Sequence, residues 1–258
     1  MVLEYKGIDL FYTDNGKGES IVLLHGFLEN STMWDYFIPK LSQNNRVICI
    51  DLLGHGKTGC LGYIHTMELM AETVKAVLNH LGIEKSIFIG HSMGGYVSLA
   101  LAEKHPETII GLCLMNSTAI EDSEEKKLSR DRAIVAVKQN HKTFIRLAIV
   151  NLFRPKNRII YSEKIKLLVN EALQTPLQGI VAALEGMKIR KNRTCILHNH
   201  MFKKMMIIGE KDPVLDYDSL IEQTTPANVK IVEFPDGHMS HIENTHDLLK
   251  EIMYFIEN

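Results

Sequence analysis

Six short runs rich in valine, isoleucine and leucine recur along the chain: IVLLH (21–25), RVICID (46–51), SIFIG (86–90), IIGLCLM (109–115), KMMIIG (204–209) and VKIVEF (229–234). Runs this short that stay apolar at successive positions are covered on both faces, and the helical periods between them supply the crossovers of a parallel sheet. Ahead of them, LEYKG and IDLFYT read as a hairpin with Gly7 at its turn. The predicted fold class is α/β, with a mostly parallel central sheet of about eight strands flanked by helices. Helices are expected at 66–82, 93–104 and 244–257, with more weakly patterned ones after Trp34 and after Tyr217.

Between Thr118 and about Lys203 the pattern changes. No strand-like run appears, while DRAIVAVKQN, TFIRLAIVNLF, SEKIKLLVNEAL and LQGIVAALEGM all carry helical spacing. The expected organisation is a core domain of residues 1–118 and 203–258, interrupted by a helical cap at 119–202. FIRLAIVNLF is apolar around most of its circumference and so needs cover on several sides.

Composition narrows the partners. A chain of 258 residues forms one large domain or a domain with an insertion, and a formal charge of −2 gives no electrostatic reason to bind nucleic acid. No apolar run reaches the roughly 18–20 residues that span a bilayer, so no membrane insertion is expected. The start, MVLEYKGIDLFYTDNG, lacks the features of a secretory leader. Cys49, Cys60, Cys113 and Cys195 are scattered without a CxxC pair and read as reduced thiols of a cytoplasmic protein. A small-molecule substrate is expected, acted on by a monomer or homodimer.

IGHSMGGY (89–96) follows the strand SIFIG and opens the helix MGGYVSLALAEKH, which puts Ser92 at a tight strand-to-helix turn between Gly90 and Gly94. The motif fits either a helix N-cap with packing glycines or a strained elbow that exposes a nucleophile at a helix N-terminus. A serine hydroxyl needs a base, and the base needs an orienting carboxylate. Asp212, just past the strand KMMIIG, is the candidate acid, with Glu210 as the rival. His238, after Gly237 in FPDGHMSHIEN, is the candidate base, with His241 as the rival. No acidic or cysteine ligand completes a metal set around His238 and His241 or around His198 and His200, so no metal site is expected.

These signals stand in a fixed order: His25-Gly26-Phe27 after the first buried strand, DLLGHGKT (51–58), GHSMGG (90–95), GEKDP (209–213) and GHMSHIE (237–243). Together they resemble the α/β-hydrolase superfamily in its capped, carboxylesterase-like serine-hydrolase branch. That resemblance implies a catalytic set of Ser92, Asp212 and His238, and an oxyanion hole made by the backbone N–H groups of Phe27 and Met93. It also implies structural loop roles for His25 and His55 and packing of the elbow by His91. Leu53 stands where members often carry proline. Haloalkane dehalogenases and epoxide hydrolases of this fold use an aspartate nucleophile, whereas this chain has Ser92. Carbon–carbon bond hydrolases and the menaquinone-pathway lyase share the serine, although the lyase type usually has arginine at the position of Tyr96. Receptor-like members bind ligand with little turnover.

The implied reaction is hydrolysis of a carboxylic ester through an acyl-enzyme, which requires no cofactor, with short or medium acyl chains favoured. Leu28, Phe144, Leu147, Phe153, Leu184, Met187 and Met239 are candidates for the substrate pocket; the alternative for the cap residues among them is plain helix packing. Lys188, Arg190, Lys191 and Arg193 either attract an acidic substrate or form a solvated face.

Overall fold

The computed structural model describes residues 1–258. Eight strands form one sheet: β1 (Val2–Tyr5), β2 (Ile8–Gly16), β3 (Glu19–Leu24), β4 (Asn45–Ile50), β5 (Ser86–His91), β6 (Ile109–Met115), β7 (Lys203–Gly209) and β8 (Lys230–Phe234). Their spatial order is β1-β2-β4-β3-β5-β6-β7-β8. β1 and β2 pair antiparallel through a turn at Lys6 and Gly7, both at positive φ (+52° and +81°). β2 runs three residues past the expected end at Thr13, because Tyr12 to Gly16 pair antiparallel with β4. All later pairings are parallel.

The central strands are apolar at successive positions because both sheet faces are covered. Ile21 and Leu23 of β3 pack with Trp34, Phe37 and Phe255 on one side. Val22 and Leu24 pack with Val74, Val97 and Leu101 on the other. The second side is built by the helices Met67–His80 and Met93–Lys104, and the first in part by Thr245–Glu257. β4 and β5 leave β3 on opposite sides, so the chain reverses its direction of growth there. A crevice opens at such a point beyond the carboxyl ends of the strands.

Between β6 and β7 the chain forms helices Glu124–Gln139, His141–Val150, Asn157–Ile160, Ser162–Ala172, Leu177–Lys188 and Thr194–Asn199, with no strand among them. Arg193 N–H donates to Ala119 O at 2.7 Å, which draws the start and end of this excursion together. His65 N–H donates to Ala182 O at 2.9 Å and fastens the helix Leu177–Lys188 to a loop of the sheet domain. The basic run ends up in two environments. Lys191 is exposed, whereas Arg190 and Arg193 are buried by ion pairs to Asp122 and to Glu68 and Glu103. A solvated face therefore describes only part of it.

Burial makes several histidines unwilling to charge. It pushes His55 and His241 down to about 3 and His65 to about 4. Above about pH 6.5 these rings are neutral in folded and unfolded chains alike; below it the unfolded chain binds protons that the fold refuses. Each ring then removes about 1.4 kcal/mol of stability per pH unit lowered, until its own folded value is reached. We predict that the urea midpoint falls as pH drops from about 6.5 to about 5, and that His55→Gln shallows the fall. A midpoint constant across that range contradicts this assignment.

Candidate active site

Ser92 stands at φ +49°, ψ −112°, a conformation that side chains rarely adopt. Its N–H donates to Met115 O at 2.9 Å, and its carbonyl accepts from Ser117 Oγ at 2.7 Å and Gly95 N–H at 3.0 Å. A Cβ on Gly90 would sit 2.5 Å from the Gly94 carbonyl group, and one on Gly94 would sit 2.4 Å from Leu24 O. The flanking glycines therefore let strand and helix meet closely enough to present the hydroxyl, rather than serving loop flexibility.

His238 Nε2 lies 2.9 Å from Ser92 Oγ, and His238 Nδ1 lies 2.7 Å from Asp212 Oδ2. With the Nδ1 proton donated to the carboxylate, Nε2 is free to accept from the serine hydroxyl. Asp212 Oδ1 accepts the Val214 and Leu215 N–H groups at 2.8 and 3.1 Å, and Asn116 Nδ2 reaches Oδ2 at 3.4 Å. Burial alone would raise the Asp212 carboxyl, but the His238 ring and these amides outweigh it and hold the group below its usual range. Glu210, the rival acid, is exposed on its loop.

The Phe27 N–H makes no hydrogen bond within the chain and lies in the turn after β3. The next residue, Leu28, is held at φ +64°. Met93 is the first residue of the helix after Ser92, where N–H groups lack intrahelical acceptors.

Two buried glutamates that the sequence reading did not single out hold these loops. Glu29 Oε2 accepts the Gly26 N–H at 2.8 Å and faces His91 Nδ1 at 2.6 Å, while His91 Nε2 donates to His238 O at 3.0 Å. Both His91 nitrogens thus face acceptors, and the ring is an imidazolium paired with Glu29. Burial opposes both charges, yet their attraction raises His91 and holds Glu29 well below the carboxylate range. The Phe27 turn and the His238 loop are thereby joined through one ion pair, a larger part than elbow packing. His241 stacks edge-on against His91 at 5.3 Å and sits 3.4 Å from Glu29 Oε1. Glu29, His91 and His241 offer ligand atoms within 4.8 Å of one another, but the hydrogen bonds of His91 account for its part in the cluster.

Glu243 holds the other side. Its Oε2 accepts the Gly237 and Met239 N–H groups, which bracket His238, at 3.0 and 3.2 Å. Its Oε1 accepts Asn157 Nδ2 at 2.7 Å and the Arg154 N–H at 3.4 Å. His238 N–H donates to Leu152 O at 3.1 Å. The loop carrying His238 is therefore bonded to the helical excursion as well as to the sheet. His25 and His55 are in loops, as the resemblance implied: His25 Nε2 accepts the Leu52 N–H and His55 Nδ1 donates to Leu53 O.

A cavity of about 100 Å³ opens on Ser92 and His238 and is lined by Phe27, Leu28, His91, Tyr96, Arg130, Ala148, Leu152, Met187 and Val214. Of the expected pocket residues, Leu28 and Met187 line it. The other five do not. Leu147 is 60% exposed, because His141–Val150 turns Ile145 and Ile149 inward instead. Phe153, Leu184 and Met239 are enclosed in the core, and Phe144 packs against it. Helical period identifies which residues are apolar, but the direction of each helix face is set by its neighbours.

A family model described as the alpha/beta hydrolase fold matches residues 19–196, and the chain belongs to that family. It is 25% identical over 244 residues to the dihydrolipoyllysine-residue acetyltransferase component of the acetoin cleaving system of Pseudomonas putida, covering 93% of this chain and 64% of that protein. It is 36% identical over 122 residues to the bifunctional epoxide hydrolase 2 of Rattus norvegicus, covering 46% of this chain and only 22% of that protein. Among solved structures, a thermophilic esterase from Thermogutta terrifontis superposes with a TM-score of 0.91 at 30% identity, over 99% of this chain and 96% of that one. The enol-lactonase from Burkholderia xenovorans LB400 superposes over the whole of both chains with a TM-score of 0.92 at 22% identity, a likeness of fold.

Because Glu243 fixes the backbone on both sides of His238, we predict that Glu243→Ala lowers kcat for a hydrolysed substrate by about 100-fold, the usual cost of misplacing a reacting group by about an ångström. KM should move by less than about threefold, and Glu243→Gln should restore part of the loss. Steady-state kinetics on folded variants check this; a loss confined to KM contradicts it.

Proposed function

We propose that this chain is a serine hydrolase that cleaves the carboxylic ester of a small or medium-sized substrate through an acyl-enzyme. The observation that carries this reading is the continuous relay from Ser92 Oγ to His238 at 2.9 Å and on to Asp212 at 2.7 Å. Ser92 Oγ attacks the ester carbonyl while His238 Nε2 takes its proton. Asp212, held ionised, stabilises the imidazolium that results. The tetrahedral oxyanion receives the N–H groups of Phe27 and Met93. His238 then protonates the departing alkoxide, and a water molecule repeats the sequence on the acyl-Ser92 ester.

The nucleophile favours acyl transfer over epoxide opening. Attack on an epoxide would leave an alkyl ether on Ser92, with no carbonyl for water to attack in the second step. The acyl-Ser92 ester retains that carbonyl. The 30% identical esterase supports the same choice, and the cavity of about 100 Å³ favours a short acyl or alkoxy group. The cysteines are unpaired, consistent with the reducing cytoplasm we assign to the protein.

Hydrolysis of p-nitrophenyl esters from acetate to decanoate tests this reading. Turnover should be fastest from acetate to butyrate, and Ser92→Ala or His238→Gln should reduce kcat by about 10³–10⁶-fold. Undiminished turnover in Ser92→Ala contradicts the mechanism. If the folded wild type hydrolyses no ester, the assignment passes to carbon–carbon cleavage, a lyase or a receptor.

A further inference from the structure

We infer that Arg130 forms a carboxylate subsite beside the nucleophile, so that the preferred substrates are esters bearing a second, ionised carboxyl group within a few bonds of the scissile carbonyl. This rests on the acyl-transfer reading for the placing of that carbonyl at Ser92. Arg130 is the only lysine or arginine that lines the cavity, whose other walls are mostly apolar. A guanidinium in such surroundings needs an anion, and the protein supplies less than one.

The shortfall is visible in the ion pairs. Asp122 is fully buried and is bonded by both Arg130 and Arg190, so a single carboxylate serves two guanidinium groups. Arg190 is otherwise committed to the protein. Its Nη1 donates to Asp122 at 2.6 Å and to Met187 O at 3.1 Å, its Nη2 donates to Ile120 O at 3.0 Å, and its plane stacks on the Tyr96 ring at 4.2 Å.

Arg130 is differently placed. Its side chain is one-fifth exposed, and its Nη1 meets only the Met187 thioether at 3.6 Å, a weak acceptor. A third cation, Lys126, donates to Val214 O at 3.3 Å and lines, with Arg190, a neighbouring cavity. Of these cations Arg130 alone lines the cavity that opens on Ser92, and it shares its one carboxylate with Arg190. A substrate carboxylate can replace the thioether as the partner of Nη1. Such a contact orients the substrate before attack, and a cationic substrate is repelled by the same charge.

Binding is read on the Ser92→Ala background by calorimetry, so that the result does not depend on turnover. The probes are monomethyl glutarate, with its carboxylate on the acyl side, and O-butyryl glycolate, with its carboxylate on the alcohol side; methyl butyrate is the neutral comparison. At least one charged ester should bind about tenfold or more tightly than the neutral one. Adding Arg130→Gln should abolish that difference, and Arg130→Lys should retain part of it, since the ammonium keeps charge without the fork.

Equal binding of charged and neutral esters overturns the inference, as does a preference that survives Arg130→Gln in a protein of native circular dichroism. Wild-type kcat/KM on the same three esters separates the two readings. Hydrolysis of the neutral ester at least as fast as the charged ones leaves the esterase assignment standing and removes the subsite. Arg130-dependent binding with no hydrolysis of any ester keeps the subsite and removes the esterase assignment.

Discussion

The backbone of Ser92 is held where a non-glycine residue gains nothing locally, at φ +49°, a placement that costs about 1–3 kcal/mol. It persists because the surrounding contacts leave no alternative. Gly90 and Gly94 bring β5 and the following helix so close that neither position has room for a Cβ. Hydrogen bonds from Ser92 N–H to Met115 O and from Ser117 Oγ to Ser92 O fix both ends of the residue. One strained turn thereby lifts the hydroxyl above the sheet edge and opens a helix N-terminus beside it.

Around that turn, two buried glutamates hold the remaining parts in register. Burying a carboxylate is costly unless its oxygens are bonded, and here the bonds that Glu29 Oε2 and both Glu243 oxygens accept go largely to the loops that carry the candidate catalytic groups. Glu29 binds the Gly26 N–H and, through His91, the carbonyl of His238. Glu243 binds the N–H groups on both sides of His238 and reaches across to Asn157. The candidate base is therefore fixed from the sheet side and from the helical side at once. Position in the chain plays little part in this, since Glu29 and His91 stand 62 residues apart.

That separation also explains what was legible in the sequence. The strands and the three main helices were readable because burial on both faces and the helical period each leave a local pattern, as in IIGLCLM and MELMAETVKAVL. Ser92, Asp212 and His238 were readable because each follows a strand end in an order the fold requires. Glu29, Glu243, Asn157 and Arg130 were not, because a single glutamate or arginine carries no period and its partner is known only once the chain is folded. The nearest available signal was the spacing in GHMSHIE, five residues from His238 to Glu243. Beyond Leu28 and Met187 the pocket lining failed for a related reason: Leu147 and Phe153 are as apolar as Leu152 and Met187, and only packing decides which of them faces the cavity.

The most direct test of the account is to trap the covalent intermediate. The protein is mixed with p-nitrophenyl acetate, quenched in acid within the burst and digested for peptide mass mapping. The account predicts one acetyl group per chain, located on Ser92 and lost on longer incubation in water. Steady release of p-nitrophenol with no acetyl on Ser92, or with the acetyl on another residue, contradicts it.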